Sequence, residues 1–128
     1  MSEELNINEK LQELDAKEEL ANYYVQRAKD YEKLLTRPEF KSVILEGYLE
    51  VEEQNVFDML TSVFTNKDEV KESLHMRLEM IRAMKVYLGT NEYVGTIRLD
   101  ADKYKEELKA IEARKAELHA MEVTDGSN

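Results

Sequence analysis

Few residues in this chain are equipped for chemistry. Histidine occurs twice, at His75 and His119, and cysteine is absent. Glu72 and His75 have the Glu-x-x-His spacing by which di-iron four-helix bundles set two ligands on one helix face. That chemistry needs a second such motif and two further helix carboxylates, yet Ala116 stands three residues before His119. With 28 acidic residues in the chain, one Glu-x-x-His arises readily by chance. His75 therefore reads as the edge of an apolar helix stripe, His119 as part of a solvated face, and no metal or cofactor is expected. Nucleophilic catalysis has no framework, since there is no cysteine and no Gly-x-Ser-x-Gly turn. The four glycines, at 47, 89, 95 and 126, are too scattered for a phosphate-binding loop. Carboxylate pairs are so abundant that none is singled out for a pKa-raising pocket. The expectation is a protein without enzymatic activity.

Composition narrows the class further. The chain has 128 residues, a formal net charge of -10, 36% charged and 42% hydrophobic residues. These values suit one helical domain over 1–122 with a thin core, followed by a disordered tail over 123–128. The lack of cysteine fits a reducing compartment. No apolar run approaches the roughly 18 residues of a membrane span, and the N-terminal residues lack a signal-peptide pattern. A soluble, intracellular protein without membrane contact is expected. Half of the acidic excess falls in residues 38–66, where six acids face Lys41 alone. Such a surface repels phosphate backbones, so direct nucleic-acid binding is not expected. The charge reads either as a solubilising helix face or as a surface for a basic partner, including one that normally holds nucleic acid.

Apolar spacing supplies the elements that position these groups. Over 5–36, Ile7, Leu11, Leu14, Ala21, Val25, Ala28 and Leu35 recur in alternating steps of three and four, with Glu18 and Glu32 completing a heptad seam. A helix of about 32 residues is about 48 Å long, which predicts an elongated outline. Pro38 suits the first turn of a second helix over about 38–64, and Thr36 with Glu39 has capping-box spacing. The expected inward residues of that helix are Phe40, Ile44, Tyr48 and Val51, then Phe57, Leu60 and Phe64. Gly47 reads as a bend or a close contact. Thr65 and Asp68 offer another cap-like pair before a third helix over about 67–88, with Val70, Leu74, Leu78, Ile81, Met84 and Leu88 inward. Gly89 is placed to stop it. Met76, Met80 and Met84 form one line along this helix and read as a soft helix–helix contact. Tyr93–Ile97 has strand-like composition without a second strand, and reads as an ordered loop or a strand completed by a partner. A fourth helix over about 100–121 carries a second seam of Ala101, Tyr104, Leu108, Ile111, Lys115 and Leu118. Antiparallel pairing of the first and last helices would bring Glu18 near Lys115, within one chain or between chains.

The stretch from Leu34 to Leu49 resembles a segment of small, largely uncharacterised helical proteins of tailed bacteriophages. Paired leucines, Pro38 before Glu39 and Phe40, and an aliphatic run ending in Gly47-Tyr48 carry the resemblance. It implies a product made in the bacterial host cytoplasm and used in virion assembly, and it transfers no functional residue.

The expected fold is all-α, four helices with coiled-coil-like terminal helices. The expected function is that of a viral structural or assembly protein, a virion component or chaperone-like adaptor. Its expected partners are further copies of itself or other virion proteins, through Leu11, Leu14, Val25, Ala28, Leu108, Ile111 and Leu118. The alternative is an acidic inhibitor that covers a basic nucleic-acid-binding surface of a host protein with Glu46, Glu50, Glu53 and Asp58.

Overall fold

A computed structural model describes the backbone of residues 2–90 and 94–126, and the side chains of residues 6–90 and 94–122. The fold is all-α, and the described residues contain no strand. Helix α1 spans Ser2–Leu35. Helix α2, residues 38–61, runs through a first turn at Pro38–Phe40, a π-wound stretch at Lys41–Glu52 and an α-helical stretch at Glu53–Thr61. Helix α3 is Asp68–Leu88 and helix α4 is Thr96–Gly126. Where the sequence reads as one helical domain, contacts divide the chain into two compact units. The first comprises Met1–Lys29 with Asp100–Asn128, and the second Asp30–Leu99.

In the first unit, α1 and α4 lie antiparallel. Tyr24 stacks on Tyr104 with ring centres 4.6 Å apart, and the Arg27 guanidinium donates to Asp100 at 3.0 Å. Farther along the pair, Lys115 meets Glu18 at 3.0 Å and also Asp15. Ile7, Ala21, Ala101, Ile111 and Leu118 of the two seams are buried, with Tyr24 and Arg27 half-buried beside them, whereas the seam positions Glu32 and Leu35 are exposed. Steps of three and four return such residues to one helix face, which each helix covers with the other's.

The second unit is built on a helical hairpin, α2 against α3, joined by residues 62–67. Its core is Leu49, Val56, Leu74, Leu78 and Ile81, flanked by Leu45, Tyr48, Met59, Leu60 and Leu88. The α3 face matches expectation at Leu74, Leu78 and Ile81, whereas Val70 and Met84 are exposed. The α2 face matches only in part: Phe40, Ile44, Tyr48 and Leu60 are half-buried, but the rest of the stripe is displaced. Leu49 is 1% exposed and Val56 fully buried, while Val51 is 65% and Phe64 90% exposed, with Phe57 also outward. The π winding explains the first half of this difference. Bonding each N–H to the fifth preceding carbonyl puts more residues in a turn, so inward positions shift relative to an α-helical count. Phe64 lies beyond the helix, which stops at Thr61 with Ser62 extended.

Gly47 has a specific role in that winding. A Cβ at this position would stand 2.9 Å from the backbone oxygen of Ser42, the carbonyl five residues back that a π turn directs at residue 47. Neither capping box forms. Thr36 donates its hydroxyl to the Lys33 carbonyl at 2.7 Å, so it closes the end of α1 rather than opening α2. The residues before α2 and α3 are Arg37 and Lys67, without side-chain caps, although Pro38 does open α2 as expected.

Gly89 ends α3 as expected, with φ 77° and its N–H on the Lys85 carbonyl at 2.8 Å. Gly95 backs directly onto it: a Cβ on Gly95 would meet the Gly89 backbone nitrogen at 2.6 Å. Of the segment read as an ordered loop or a strand completed by a partner, Val94 and Gly95 are irregular, and its C-terminal end is corrected to helix. Thr96 and Ile97 begin α4, Ile97 is buried, and Asn91–Tyr93 lie outside the described residues. Helix α4 also continues through Gly126, into residues expected as tail. The apolar side of α4 therefore begins one turn earlier than its expected start.

Two substitutions test the α2 register. Leu49→Ala is expected to cost about 2–5 kcal/mol in urea unfolding, while Val51→Ala stays within about 0.5 kcal/mol. Equal costs would show that α2 presents another face. In an ordinary exposed α-helix, Gly→Ala stabilises by roughly 0.5–1 kcal/mol. Gly47→Ala is expected to lower the urea midpoint instead, because its methyl meets the Ser42 carbonyl.

Candidate functional site

The structure distributes the sequence-selected residues between internal packing and surface. Ile111 and Leu118 are buried, while Leu11, Leu14, Val25, Ala28 and Leu108 are half-buried, all within the pairing of α1 and α4 of one chain. These residues pack α1 and α4 of one chain against each other, with part of Leu14 and Ile111 still reaching an open groove.

The seam charges fall where antiparallel pairing puts them. The Lys115 ammonium reaches the Glu18 carboxylate at 3.0 Å and bonds Asp15 as well. Those two hydrogen bonds hold the Lys115 pKa above its ordinary 10.5. Asp15 was not expected here. It flanks the seam one turn before Glu18, and its i, i+3 spacing to Glu18 was the available signal.

A second charge cluster lies in the α2–α3 hairpin and was not legible as such. Lys85 is buried, with its ammonium 3.0 Å from Glu53, and Arg82 stands 3.9 Å from the same carboxylate. Arg77 pairs with Glu52. Lys85 follows Ile81 by four residues and precedes Leu88 by three, so helical spacing already placed it inward. The four acids proposed to line one side of α2 are thereby divided. Glu46, Glu50 and Asp58 are exposed, Asp58 accepting a hydrogen bond from Gln54 at 2.9 Å, but Glu53 is turned to α3 and neutralised.

The methionine line is also corrected. Met76 and Met80 are 61% and 62% exposed and Met84 is outward, so the line is surface rather than a helix–helix contact. Met80 borders an open groove of about 560 Å³ between the π-wound stretch and α3, with Val43, Ile44, Gly47, Tyr48 and Ile81. The Glu52–Arg77 pair stands at its edge. With no side chain at Gly47 the wall is open there, and exposed Val43 and Met80 form its lips. A groove of this composition is suited to apolar contact and has one ion pair to orient a ligand.

His75 and His119 are both exposed, and His119 Nδ1 lies 3.7 Å from Glu122. Among the described residues no three acidic or histidine side chains gather as a metal-holding group. Among the same residues no helix is long and apolar enough to cross a membrane. No family model, curated protein or solved structure matches this chain.

Alkaline titration follows from two groups. The raised Lys115 pKa means that its pairing stabilises the fold fully below pH 10.5, and that this contribution fades as pH climbs through the folded value. Burial raises the Tyr31 pKa above 10.0, which also disfavours the fold once that phenol ionises. The thermal midpoint by circular dichroism is expected to hold up to about pH 10 and to fall as pH rises further. In Lys115→Met the fall is expected to be shallower, leaving the Tyr31 part. Parallel curves for the two proteins would remove Lys115 from this role.

Proposed function

We propose that the chain is a non-enzymatic structural or assembly protein of a bacterial virus, an adaptor that works by taking a partner's helix into a surface groove. The observation that carries this reading is the groove between α2 and α3, whose exposed Val43 and Met80 leave apolar surface uncovered. Flexible methionines at 76, 80 and 84 suit contact with helices of varied shape. The fitting ligand is an amphipathic helix whose apolar side meets Val43 and Met80 and whose polar side meets the Glu52–Arg77 pair at the groove's edge. The viral setting is supported by the bacteriophage resemblance. Val43, Ile44, Gly47 and Tyr48, which border the groove, all fall inside the resembling stretch. The place of action is then the host cytoplasm and the assembling particle.

The acidic-inhibitor reading rests on Glu46, Glu50 and Asp58, and is weakened by the Glu53–Lys85 pair, which interrupts its line of charge. Binding of that kind would depend steeply on salt and survive loss of the groove's apolar lips.

The test uses infected cells. Wild-type chain is expected to co-sediment with virus particles or their precursors, and Val43→Asp/Met80→Glu to be lost from both while keeping its helical circular dichroism. These side chains are exposed, so the double substitution leaves the core in place. Absence of the wild-type chain from particles and precursors alike would overturn the proposal.

A further inference from the structure

The paired α1 and α4 have two flanks, and they differ. One flank carries Asp15, Asn22 and Lys29 on α1 with Lys105, Glu112 and His119 on α4, all polar and exposed. The other carries a groove of about 440 Å³ in which Leu14, Leu20, Ala110 and Ile111 supply apolar wall. Leu20 is 49% exposed there, although it belongs to neither seam. A helix pair that packs only on itself needs one narrow seam, whereas a helix with a further apolar position beside the seam is patterned for a bundle.

The charges in this groove identify its occupant. Helices α1 and α4 run antiparallel, so Lys17, three residues before Leu20, lies toward one end. Glu107, three residues before Ala110, lies toward the other. Each is about 4.5 Å along the axis from the groove's middle, at 1.5 Å per residue. Arg114 at the Lys17 end is engaged by Glu117 at 2.8 Å, which leaves Lys17 and Glu107 as the opposed pair. A two-fold axis through the middle of the groove exchanges its ends. It therefore sets Lys17 of one copy against Glu107 of the other, twice, while the two Leu20 side chains meet at the centre. Such self-complementarity defines an isologous interface. A partner of uniform charge would satisfy one end of the groove and be repelled at the other.

We propose that two copies of this chain pair face to face through the Leu20–Ala110 groove, closing a four-helix interface with reciprocal Lys17–Glu107 contacts. This surface is separate from the Val43–Met80 groove and does not rest on the assembly role, so either reading fails without the other.

The experiment is absolute mass by light scattering on a sizing column, from low micromolar to about 100 μM, with circular dichroism on each variant. Wild type is expected at twice the 15.0 kDa chain mass. Leu20→Glu is expected at the single-chain mass with its helical signal intact. Lys17→Glu alone, or Glu107→Lys alone, creates two like-charge contacts and is expected to raise the dimer dissociation constant about tenfold at low salt. The double exchange Lys17→Glu/Glu107→Lys is expected to restore it. A wild-type monomer throughout, a dimer indifferent to Leu20→Glu, or a double exchange no better than the singles would each overturn the proposal.

Discussion

The pairing of α1 with α4 turns on one ammonium group. A lysine inside an apolar seam must find carboxylates at the right height, or its desolvation goes uncompensated. Lys115 finds two, Asp15 and Glu18, on consecutive turns of α1. Alanine and leucine positions along the same seam tolerate sliding by a heptad, because each apolar contact resembles the next. The Lys115 cluster does not, since a slide of one heptad would set the ammonium against aliphatic carbon. Its contribution is thus to select one register among many of similar packing. The Tyr24–Tyr104 stack and the Arg27–Asp100 bond fall into place along the helix pair once that register is chosen.

Much of this was legible because steps of three and four are unambiguous in a long helix. Glu18 and Lys115 stood at seam positions on sequence alone, and Gly89 read as a stop because a left-handed residue is needed there. The α2 face was legible at Tyr48 and Leu60 but not around them. Counting in α-helical turns turned Val51 and Phe57 inward, whereas the π winding turned Leu49 and Val56 there. No residue announces a π stretch: Gly47 hinted at a close approach, but the carbonyl it accommodates lies five residues back, beyond an α-helical count. Thr36 illustrates a different limit. A hydroxyl between two helices can bond backward or forward, and local spacing does not decide between them.

The candidate surfaces were legible in part for a related reason. Sequence identifies which residues are apolar, but a helix with more apolar residues than one neighbour covers leaves some of them outside. Met76 and Met80 are of this kind, as is Leu20. Only the packing tells which stripe was spent on the core. Conversely, Lys85 and Glu53, each unremarkable in composition, become a buried pair because α2 and α3 close on that side. The exposed acid on α2 is consequently less than its composition suggests, and apolar surface elsewhere is greater.

The contacts of Lys115 span 97 and 100 residues of sequence, whereas the α2–α3 core joins residues of one hairpin. Closing a long loop costs entropy before its contacts repay it, so the hairpin has the kinetic advantage. On a ribosome the contrast sharpens. The apolar seam of α1 emerges before α4 is made and waits for it. Throughout that interval the charges at Asp15 and Glu18, and the acids around them, are what keep the waiting seam from other chains. The same carboxylates that later fix the register serve beforehand as its guard.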